Sequence, residues 1–454
     1  MSRTSTLDQC APAVPDELLA LALDAVLFTL PLYEMTRMRA AASSRRDDAG
    51  RFAGGSPDST LRWVNRWVHT RQLLGPRNRE VVTPNNDTLY SSVWLDLSEG
   101  PLLLHVPDMG TRYYVLGLLD FYTNPFGYIG SRTTGSAAGT FLLHGPDWQG
   151  VVPEGARALS CPTPSVWMIG RLLIDGPDDL AEVIALQDRL VIEPLAEGGA
   201  QVPRLIDAGM RAQDRAGDPV QFARIVNRAL AENPAAAEAA AMLERFAACG
   251  IGASCDADAL TDVQRDALSR AIAQTIDTLS APQPSALGGG WFLPVDVSES
   301  FGTRYTERAQ VALNYIGALG VEEAMYVVAD RDADDMPLDG ATSYVLHFPP
   351  GGQLQTDAFW SITAYDKASC LLVENGIERY SVGDRTPGLR FDEDGGLRIA
   401  ISAREPRDAV LRANWLPAPG GSFYLAMRLY CPREVHLARG FLYPAVTRDL
   451  DLPE

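Results

Sequence analysis

The sequence predicts an α+β protein with two jelly-roll-like antiparallel β-sandwiches, related by internal duplication, an α-helical insert between them and an N-terminal helix. Short β-branched and aromatic runs, interrupted by Gly and Pro, fill 80–174 and return from 324 onward, which is typical of antiparallel strands. Between them, over about 178–281, the pattern becomes helical. A third observation, the recurrence of short motifs in both strand-rich regions, predicts the duplication.

Start and stop signals place the helices. A helix is expected over 16–42 with Pro31 inside it, and the polar run that follows predicts a mobile loop. Asn233 before Pro234 predicts a helix start, because Asn is a good N-cap and Pro is tolerated at the first helical position. The capping box Thr261-Asp-Val-Gln264 predicts a second start.

A further helix is expected from about Thr306 to Leu319, with Gly320 as its C-terminal stop. At 454 residues the chain is long enough for two or three domains. We expect 1–60 to hold the N-terminal helix and mobile loop, 61–178 the first sandwich, 179–322 the helical region and 323–454 the second sandwich.

The duplication rests on three motifs that recur in the same order. The matched pairs are Leu102–Pro107 with Tyr344–Pro349, Tyr113–Asp120 with Phe359–Asp366, and Trp167–Arg171 with Tyr424–Arg428. Each pair carries one polar residue in register, namely His105 and His347, Asp120 and Asp366, and Arg171 and Arg428. We therefore expect one sheet-forming unit to have been copied, with any chemistry at the junction of the two copies and the helices.

Composition excludes several function classes. The chain has 39 Lys plus Arg against 58 Asp plus Glu, a formal net charge of −19, so nucleic acid and anionic membranes are not expected as partners. Lys367 is the only lysine and follows Asp366, which excludes a P-loop. No nucleophile elbow, zincin motif or dinucleotide fingerprint occurs, and the six cysteines and five histidines are scattered, so no cofactor or metal is expected.

The N-terminal region does not resemble a signal peptide, because acidic residues precede any apolar run. The longest apolar window, Leu18–Leu32, is interrupted by Asp24 and Pro31 and is too short to span a bilayer. We expect a cytoplasmic protein.

The segment Thr83-Pro-Asn-Asn-Asp-Thr-Leu-Tyr90 is the most polar stretch next to a predicted strand. Its amides, carboxylate and phenol predict a pocket lining, with Asp87 and Tyr90 as catalytic groups and Asn85 and Asn86 as substrate-binding groups. The alternative is a turn, in which Asn and Asp side chains bond their own backbone.

Asp120 and Asp366 each end an apolar strand, where burial is expected to raise the carboxyl pKa and favour acid–base work. The favoured alternative is a structural pair with Arg171 and Arg428, because an active site needs only one copy.

The strand that ends at Asp366 adds two further candidates. Strand alternation places Tyr365 on one face as a catalytic candidate and Trp360 on the other as a substrate contact. Core packing is the commoner reason for aromatic residues at strand spacing.

Three residues in expected loops, Arg304, Tyr305 and Asn414, complete the substrate-binding candidates, since ligand contacts accumulate on loops. The acidic loop 330–335 has neither the Gly nor the Glu of a calcium loop, so we interpret it as a hairpin turn and keep calcium as a minor alternative.

With these residues in view, the chain resembles a bacterial and fungal family that carries two adjacent domains of unknown function, numbered 1254 (N-terminal) and 1214 (C-terminal). The N-terminal likeness lies in Thr83–Tyr90, Arg112–Leu116 and the helix near Gln187. The C-terminal likeness lies in Pro337–Gly340, Phe359–Thr363 with Tyr365–Asp366, Arg379–Ser381, Asn414–Pro419 and Arg428–Tyr430. The resemblance implies paired sandwiches, a helical region and a homo-oligomer, but no reaction. Many members look exported, so a chain without a leader suggests a cytoplasmic, biosynthetic task.

Two functions compete. The first is a cofactor-independent enzyme that performs acid–base chemistry (hydrolysis, elimination, isomerisation or cyclisation) on a small polar or aromatic metabolite. The second is a non-catalytic protein that binds a carbohydrate or another small molecule, with a structural oligomeric role. A calcium-assisted, sugar-active protein is the third and weakest possibility.

Overall fold

A computed structural model describes residues 14–46, 61–79, 82–195, 217–281, 284–297 and 300–449. The fold is α+β, with an N-terminal helix and several sheets arranged in two sandwich-like sets, as the sequence predicts at that level. Most of the loop expected after the first helix, 47–60, lies outside the described residues.

The chain begins with one long helix, and a two-stranded sheet follows. These elements are α1 (Asp16–Ala42), β1 (Ser44–Arg46) and β2 (Leu61–Trp63). Helix α1 runs through Pro31 without interruption, and it is longer than the apolar window that the sequence suggested. By length and composition alone it could cross a membrane, but 61% of its most apolar stretch is buried in the fold, as in the core helix of a globular protein.

The first sandwich consists of a five-stranded large sheet and a four-stranded small sheet. Its elements are β3 (Val68–His69), β4 (Thr88–Asp96), β5 (Leu102–Val106), β6 (Tyr114–Asp120), β7 (Pro125–Gly130), β8 (Gly139–His144), β9 (Ala156–Ser160), β10 (Ser165–Leu173), α2 (Leu180–Asp188) and β11 (Val191–Pro194). The large sheet has the order β3-β4-β10-β6-β7, and the small sheet has the order β11-β5-β8-β9.

The helical layer packs around α1. It is built from α3 (Pro219–Glu232), α4 (Ala240–Phe246) and α5 (Asp262–Leu279). The Thr261–Gln264 capping box opens α5, as predicted. The start predicted at Asn233 is wrong: Asn233 ends α3, and its side-chain oxygen accepts the Ser165 N–H at 2.8 Å, so the amide caps a sandwich strand instead.

The second sandwich has a six-stranded large sheet and a four-stranded small sheet. Its elements are β12 (Ser285–Gly288), β13 (Trp291–Leu293), α6 (Tyr305–Asn314), β14 (Ala324–Ala329), β15 (Tyr344–Phe348), β16 (Thr356–Asp366), β17 (Ser381–Gly383), β18 (Leu397–Ser402), α7 (Ala409–Ala413), β19 (Leu416–Pro417), β20 (Phe423–Pro432), α8 (Glu434–Leu437) and β21 (Val446–Arg448). Strands β11, β12 and β13 therefore fall inside the range expected to be helical.

The two sandwiches share one strand order. The second large sheet reads β12-β13-β14-β20-β16-β17 and the small sheet β19-β18-β15-β21, so β13 to β21 occupy the places of β3 to β11. One feature corrects the prediction of antiparallel sandwiches: β8 pairs with β9, and β18 with β19, in parallel. A long connection between these strands allows a parallel pair, which a hairpin would not.

Helix α6 ends earlier than predicted, at Asn314. Gly317 has a φ of +82°, and a Cβ there would lie 2.9 Å from Ile169 Cδ1, so only glycine fits this turn. Residues 315–319 form an irregular segment after the helix, which we call the released segment.

The two large sheets face each other through the sides that point away from their own cores. Tyr113 of the first sandwich packs against Phe359 and Tyr430 of the second, with ring centroids 5.6 and 5.4 Å apart. A small apolar cluster at this contact is separate from the core of each sandwich. The junction of the sandwiches is thus itself a packed interface.

Candidate functional site

Two ion pairs join the sandwiches at matching positions. Asp87 directly precedes β4, and its carboxylate accepts hydrogen bonds from Ser361 at 2.7 Å and Arg385 at 3.4 Å. Glu323 directly precedes β14, and its carboxylate accepts one from Arg132 Nε at 2.7 Å. Arg385 lies two residues after β17, and Arg132 lies two residues after β7. Each carboxylate therefore pairs with an arginine of the opposite sandwich.

Between the large sheets lies a cavity of about 480 Å³, which we call the central chamber. Its wall is mostly apolar and is interrupted by two arginines, four tyrosines, a threonine and two asparagines. The polar lining residues are Thr83, Asn85, Tyr90, Arg171, Asn314, Tyr315, Tyr326, Tyr424 and Arg428. The segment that follows α6 also lines the chamber, as does the exposed Val82.

Arg171 stands in the middle of β10, opposite Tyr90 and Val115 of the neighbouring strands. It is 5% exposed, and its guanidinium carbon lies 5.3 Å from the Tyr90 ring centroid. Within the described residues its one hydrogen bond runs from Nε to Tyr90 Oη at 3.4 Å, and Nη1 is buried without a partner. The two terminal nitrogens of this guanidinium therefore have no hydrogen-bond partner among the described residues.

Arg428 stands at the matching place in β20, opposite Tyr326 and Ser361. Its two terminal nitrogens donate to Thr363 Oγ1 at 3.1 Å, to the Thr83 carbonyl at 3.1 Å and to Tyr365 Oη at 2.6 Å. This arginine ties the segment before β4 to the second sandwich.

The chamber wall contains two buried arginines, and the Asp87 carboxylate lies near enough to Arg428 to raise its pKa. Arginine remains protonated at any pH at which a protein is folded, and a buried charge without a partner is costly. Within the described part of the chain, neither Arg171 nor Arg428 forms an ion pair with a carboxylate. Burial raises the pKa of Tyr365, Tyr424 and Tyr430, so these phenols are neutral neighbours and supply no negative charge.

The segment Thr83–Asp87 forms the turn that the sequence offered as one alternative, and it also contributes residues to the pocket lining. The Asn85 side-chain oxygen accepts the backbone N–H groups of Asp87 at 2.6 Å and Thr88 at 3.2 Å, which is a turn bond, while its amide donates to Tyr430 Oη. The Pro84 carbonyl accepts the Tyr365 hydroxyl at 2.7 Å. These bonds hold the segment against the second sandwich, beside the chamber.

A second cavity, of about 460 Å³, lies on the other side of this segment, and we call it the side cavity. Asn86, Asp87 and Trp360 line it, together with Arg385. Of the predicted residues, Asn85 and Tyr90 line the central chamber, and Tyr365 lies behind its wall and accepts a hydrogen bond from Arg428. Asn86, Asp87 and Trp360 line the side cavity instead.

Asp366 is not part of either cavity. Its carboxylate accepts the N–H and O–H of Ser369 at 2.8 and 2.6 Å, and these bonds lower its pKa, contrary to the expected rise. The predicted rise holds for Asp120, whose pKa is raised by burial.

The expected Asp–Arg pairs do not form. Asp120 accepts bonds from the Tyr122 and Asn124 backbone and lies near Arg308, not Arg171. The strand register explains this: Asp120 lies opposite Val166, five residues before Arg171 along β10, so the two side chains are far apart and point to opposite faces of the sheet.

The three loop candidates have structural roles. Arg304 pairs with Glu307 at 3.1 Å at an exposed helix start, and Tyr305 packs against Phe28 of α1 with ring centroids 5.1 Å apart. Asn414 is fully buried and bonds the backbone of Arg390. None of these three residues lines the central chamber or the side cavity.

The acidic loop closes on itself. The Asp332 carboxylate accepts the N–H groups of Asp334 at 3.0 Å and Met336 at 2.9 Å, and pairs with Arg448 at 2.7 Å. Among the described residues no group of three His, Cys, Asp or Glu side chains could hold a metal.

The repeated Arg171 and Arg428 predict carboxylate partners, which neither has among the described residues. Tyr326 of the chamber wall is not among the predicted site residues. The available signal was the pair of Tyr residues opposite these arginines, but it becomes visible only once strand pairing is known.

These features define a class of protein: a double β-sandwich with a helical layer and an arginine-containing chamber at the sandwich junction. Models of two families of unknown function match the chain in tandem, DUF1254 at 64–194 and DUF1214 at 323–434. The chain belongs to the family that carries these two domains in that order.

A solved structure, the VPA0106 protein from Vibrio parahaemolyticus, is similar over 95% of this chain and 100% of its own, with 24% identity and a TM-score of 0.69. A protein from Burkholderia cenocepacia covers 95% of this chain and 94% of its own at 12% identity, with a TM-score of 0.41, and we draw nothing from it. The first match supports the fold alone. No curated protein of known function matches the chain.

Proposed function

We propose that the chain binds a small, largely apolar organic molecule in the central chamber and performs acid–base chemistry on it without an organic cofactor. The observation that carries this proposal is the chamber itself: about 480 Å³ of mostly apolar wall with a few convergent polar groups, which is the usual form of a small-molecule site. The acidic surface and the α1 packing favour a cytoplasmic protein with no nucleic-acid or membrane partner. Homo-oligomerisation remains a prediction from the resemblance.

We also infer that the two sandwiches arose by duplication of a jelly-roll-like unit, modified by one parallel strand pair. The identical strand order supports this, and so do the three motif pairs. His105 lies opposite Thr140 and His347 opposite Arg398 in matching strands. The chamber then lies between two related sheets, where binding sites between domains commonly form.

Tyr90 is the group in the chamber best placed to move a proton. Its oxygen accepts the Arg171 Nε–H at 3.4 Å, and within the described residues its own hydroxyl hydrogen is given to no protein group. A guanidinium beside the phenol stabilises the negative charge that develops when the proton leaves. Asp87, by contrast, is held in an ion pair that Glu323 repeats, which favours a structural role.

The alternative is a binding protein without turnover. The observation in its favour is that, within the described part of the chain, no carboxylate or histidine lines the chamber, so Tyr90 would have to supply the proton transfer without such a base beside it.

An incubation experiment separates the two. The wild-type protein and the variant Tyr90→Phe are each incubated with a bacterial metabolite extract, and the extract is profiled by mass spectrometry before and after. An enzyme consumes a compound and forms a product with the wild type but not with Tyr90→Phe, while both proteins bind the compound. A compound that both proteins retain and return unchanged supports the binding protein.

Ala318→Trp is the matched control, because Ala318 lies half-buried on the released segment and a large ring there fills the chamber. If Ala318→Trp leaves both retention and turnover intact, the chamber is not the site and the proposal is wrong.

A further inference from the structure

Arg171 is a buried cation whose terminal nitrogens have no acceptor among the described residues. It lines the central chamber, it is 5% exposed, and both terminal nitrogens are uncommitted within the described residues. A guanidinium presents two parallel N–H groups along that edge, which match the two oxygens of a carboxylate. An anion with two coplanar oxygens would match this edge.

Arg428 makes the same chamber more positive but is less available to a ligand. Its terminal nitrogens already donate to Thr363, Tyr365 and the Thr83 carbonyl. One free guanidinium edge, rather than two, suits a singly charged carboxylate better than a dianionic phosphate, which needs more donors. Most of the remaining wall is apolar and includes Phe292, Val295 and Val297 together with Ile316, Ala318 and Leu319.

We propose that the ligand of the central chamber is an apolar or aromatic carboxylic acid, and that Arg171 binds its carboxylate. This inference rests on the proposed function, since it names the ligand of the same chamber. The carboxylate lies along the terminal edge of Arg171, and the apolar body lies against the second sandwich and the released segment. Tyr90, which bonds Arg171 through Nε, is then adjacent to the bound acid.

Matched acid and amide probes test the inference. 3-Phenylpropanoate and octanoate are compared with 3-phenylpropanamide and octanamide by calorimetry at pH 7, on the full chain. We expect each acid to bind at least tenfold more tightly than its amide, because the amide loses the charge-assisted pair with Arg171.

The variant Arg171→Met removes the guanidinium and keeps an apolar side chain of similar length. It should abolish the preference for the acid while the amide affinity changes less than twofold. Arg224→Met, which removes an exposed arginine that pairs with Asp258, is the charge-matched control and should leave both affinities unchanged. Circular dichroism confirms that each variant is folded.

The outcomes separate this inference from the proposed function. If acids and amides bind equally and Ala318→Trp abolishes both, the chamber is a binding site but the carboxylate assignment is wrong. If Arg171→Met keeps the preference for the acid, the assignment is also wrong. If no probe binds the wild type up to 10 mM, both the assignment and the chamber's role fail.

Discussion

The two sandwiches place an arginine at the same register position and use it differently. In the second sandwich, the terminal nitrogens of Arg428 donate hydrogen bonds to protein acceptors. In the first, Arg171 donates only from Nε to Tyr90 among the described residues. The reason is that Thr363 and Tyr365 of the neighbouring strand and the Thr83 carbonyl reach the terminal nitrogens of Arg428, whereas no acceptor among the described residues reaches those of Arg171. A repeated position can thus be structural in one sandwich and open to a ligand in the other.

The two carboxylates at the junction also occupy matching positions and differ in how closely they are paired. Glu323 is 1% exposed and lies 2.7 Å from Arg132, and it also accepts the Tyr113 hydroxyl at 2.8 Å. Asp87 lies 3.4 Å from Arg385, which has a second carboxylate neighbour in Asp175. The tighter pair should contribute more to holding the sandwiches together.

The largest expected difference is between the two arginines. Arg428→Met removes the N–H donors that the Thr83 carbonyl and the Tyr365 oxygen accept, and should lower the free energy of unfolding by about 3 kcal/mol. Arg171→Met removes a buried charge without a carboxylate partner and should change it by less than about 1 kcal/mol. Urea denaturation of both variants measures this. Equal losses would show that the two positions are equivalent after all.

The junction carboxylates come next. Glu323→Gln should lower the free energy of unfolding by about 2 kcal/mol, because it removes the charge from a buried pair, and Asp87→Asn by about 1 kcal/mol, because Arg385 keeps Asp175. Double-mutant cycles with Arg132→Met and Arg385→Met should give the larger coupling energy for the Glu323 pair. A larger coupling for Asp87 would reverse our ranking of the two pairs.

The smallest expected effects concern Asp120 and Asp366, whose pKa shifts have opposite signs. The pKa of Asp366 is lowered in the folded state, so its ionised carboxylate stabilises the fold above the unfolded-state pKa of about 4. This contribution to stability is lost as the pH falls. Asp366→Asn should therefore cost under about 1 kcal/mol at pH 7, since solvent screens this half-exposed group, and the cost should vanish in acid.

Asp120 should behave in the opposite way. Burial raises its folded pKa, so the ionised carboxylate opposes folding above that pKa, and the penalty disappears as the pH falls toward 4. The stability of the wild type relative to Asp120→Asn should therefore increase on acidification from pH 7 to pH 4. Urea midpoints across this range measure both variants, and parallel pH curves for the two would contradict the opposite shifts.

Local signals predicted much of the fold. The bounds of α1, the capping box of α5 and strands such as β5 and β15 follow from propensity, periodicity and capping, which act over a few residues. The role of Asn233 does not follow from local signals, because a contact with β10 decides it. Local propensity does not report such contacts.

The candidate site divides in the same way. The polar stretch Thr83–Tyr90 was visible because its residue types are unusual beside a strand, and Tyr90 and Asn85 do line the chamber. Arg304, Tyr305, Asn414 and Asp366 have the same kinds of side chain but bond or pack elsewhere, since residue type does not specify a spatial partner.

By itself, the sequence determined the residue types, the repeated motifs and the succession of helical and strand-rich regions, because these depend on short-range periodicity. Only the tertiary structure decided that Arg428 would be satisfied by a docked backbone segment and that Arg171 would be left open. The physical reason is that the cost of a buried charge depends on the acceptors that distant parts of the chain bring within about 3 Å of it.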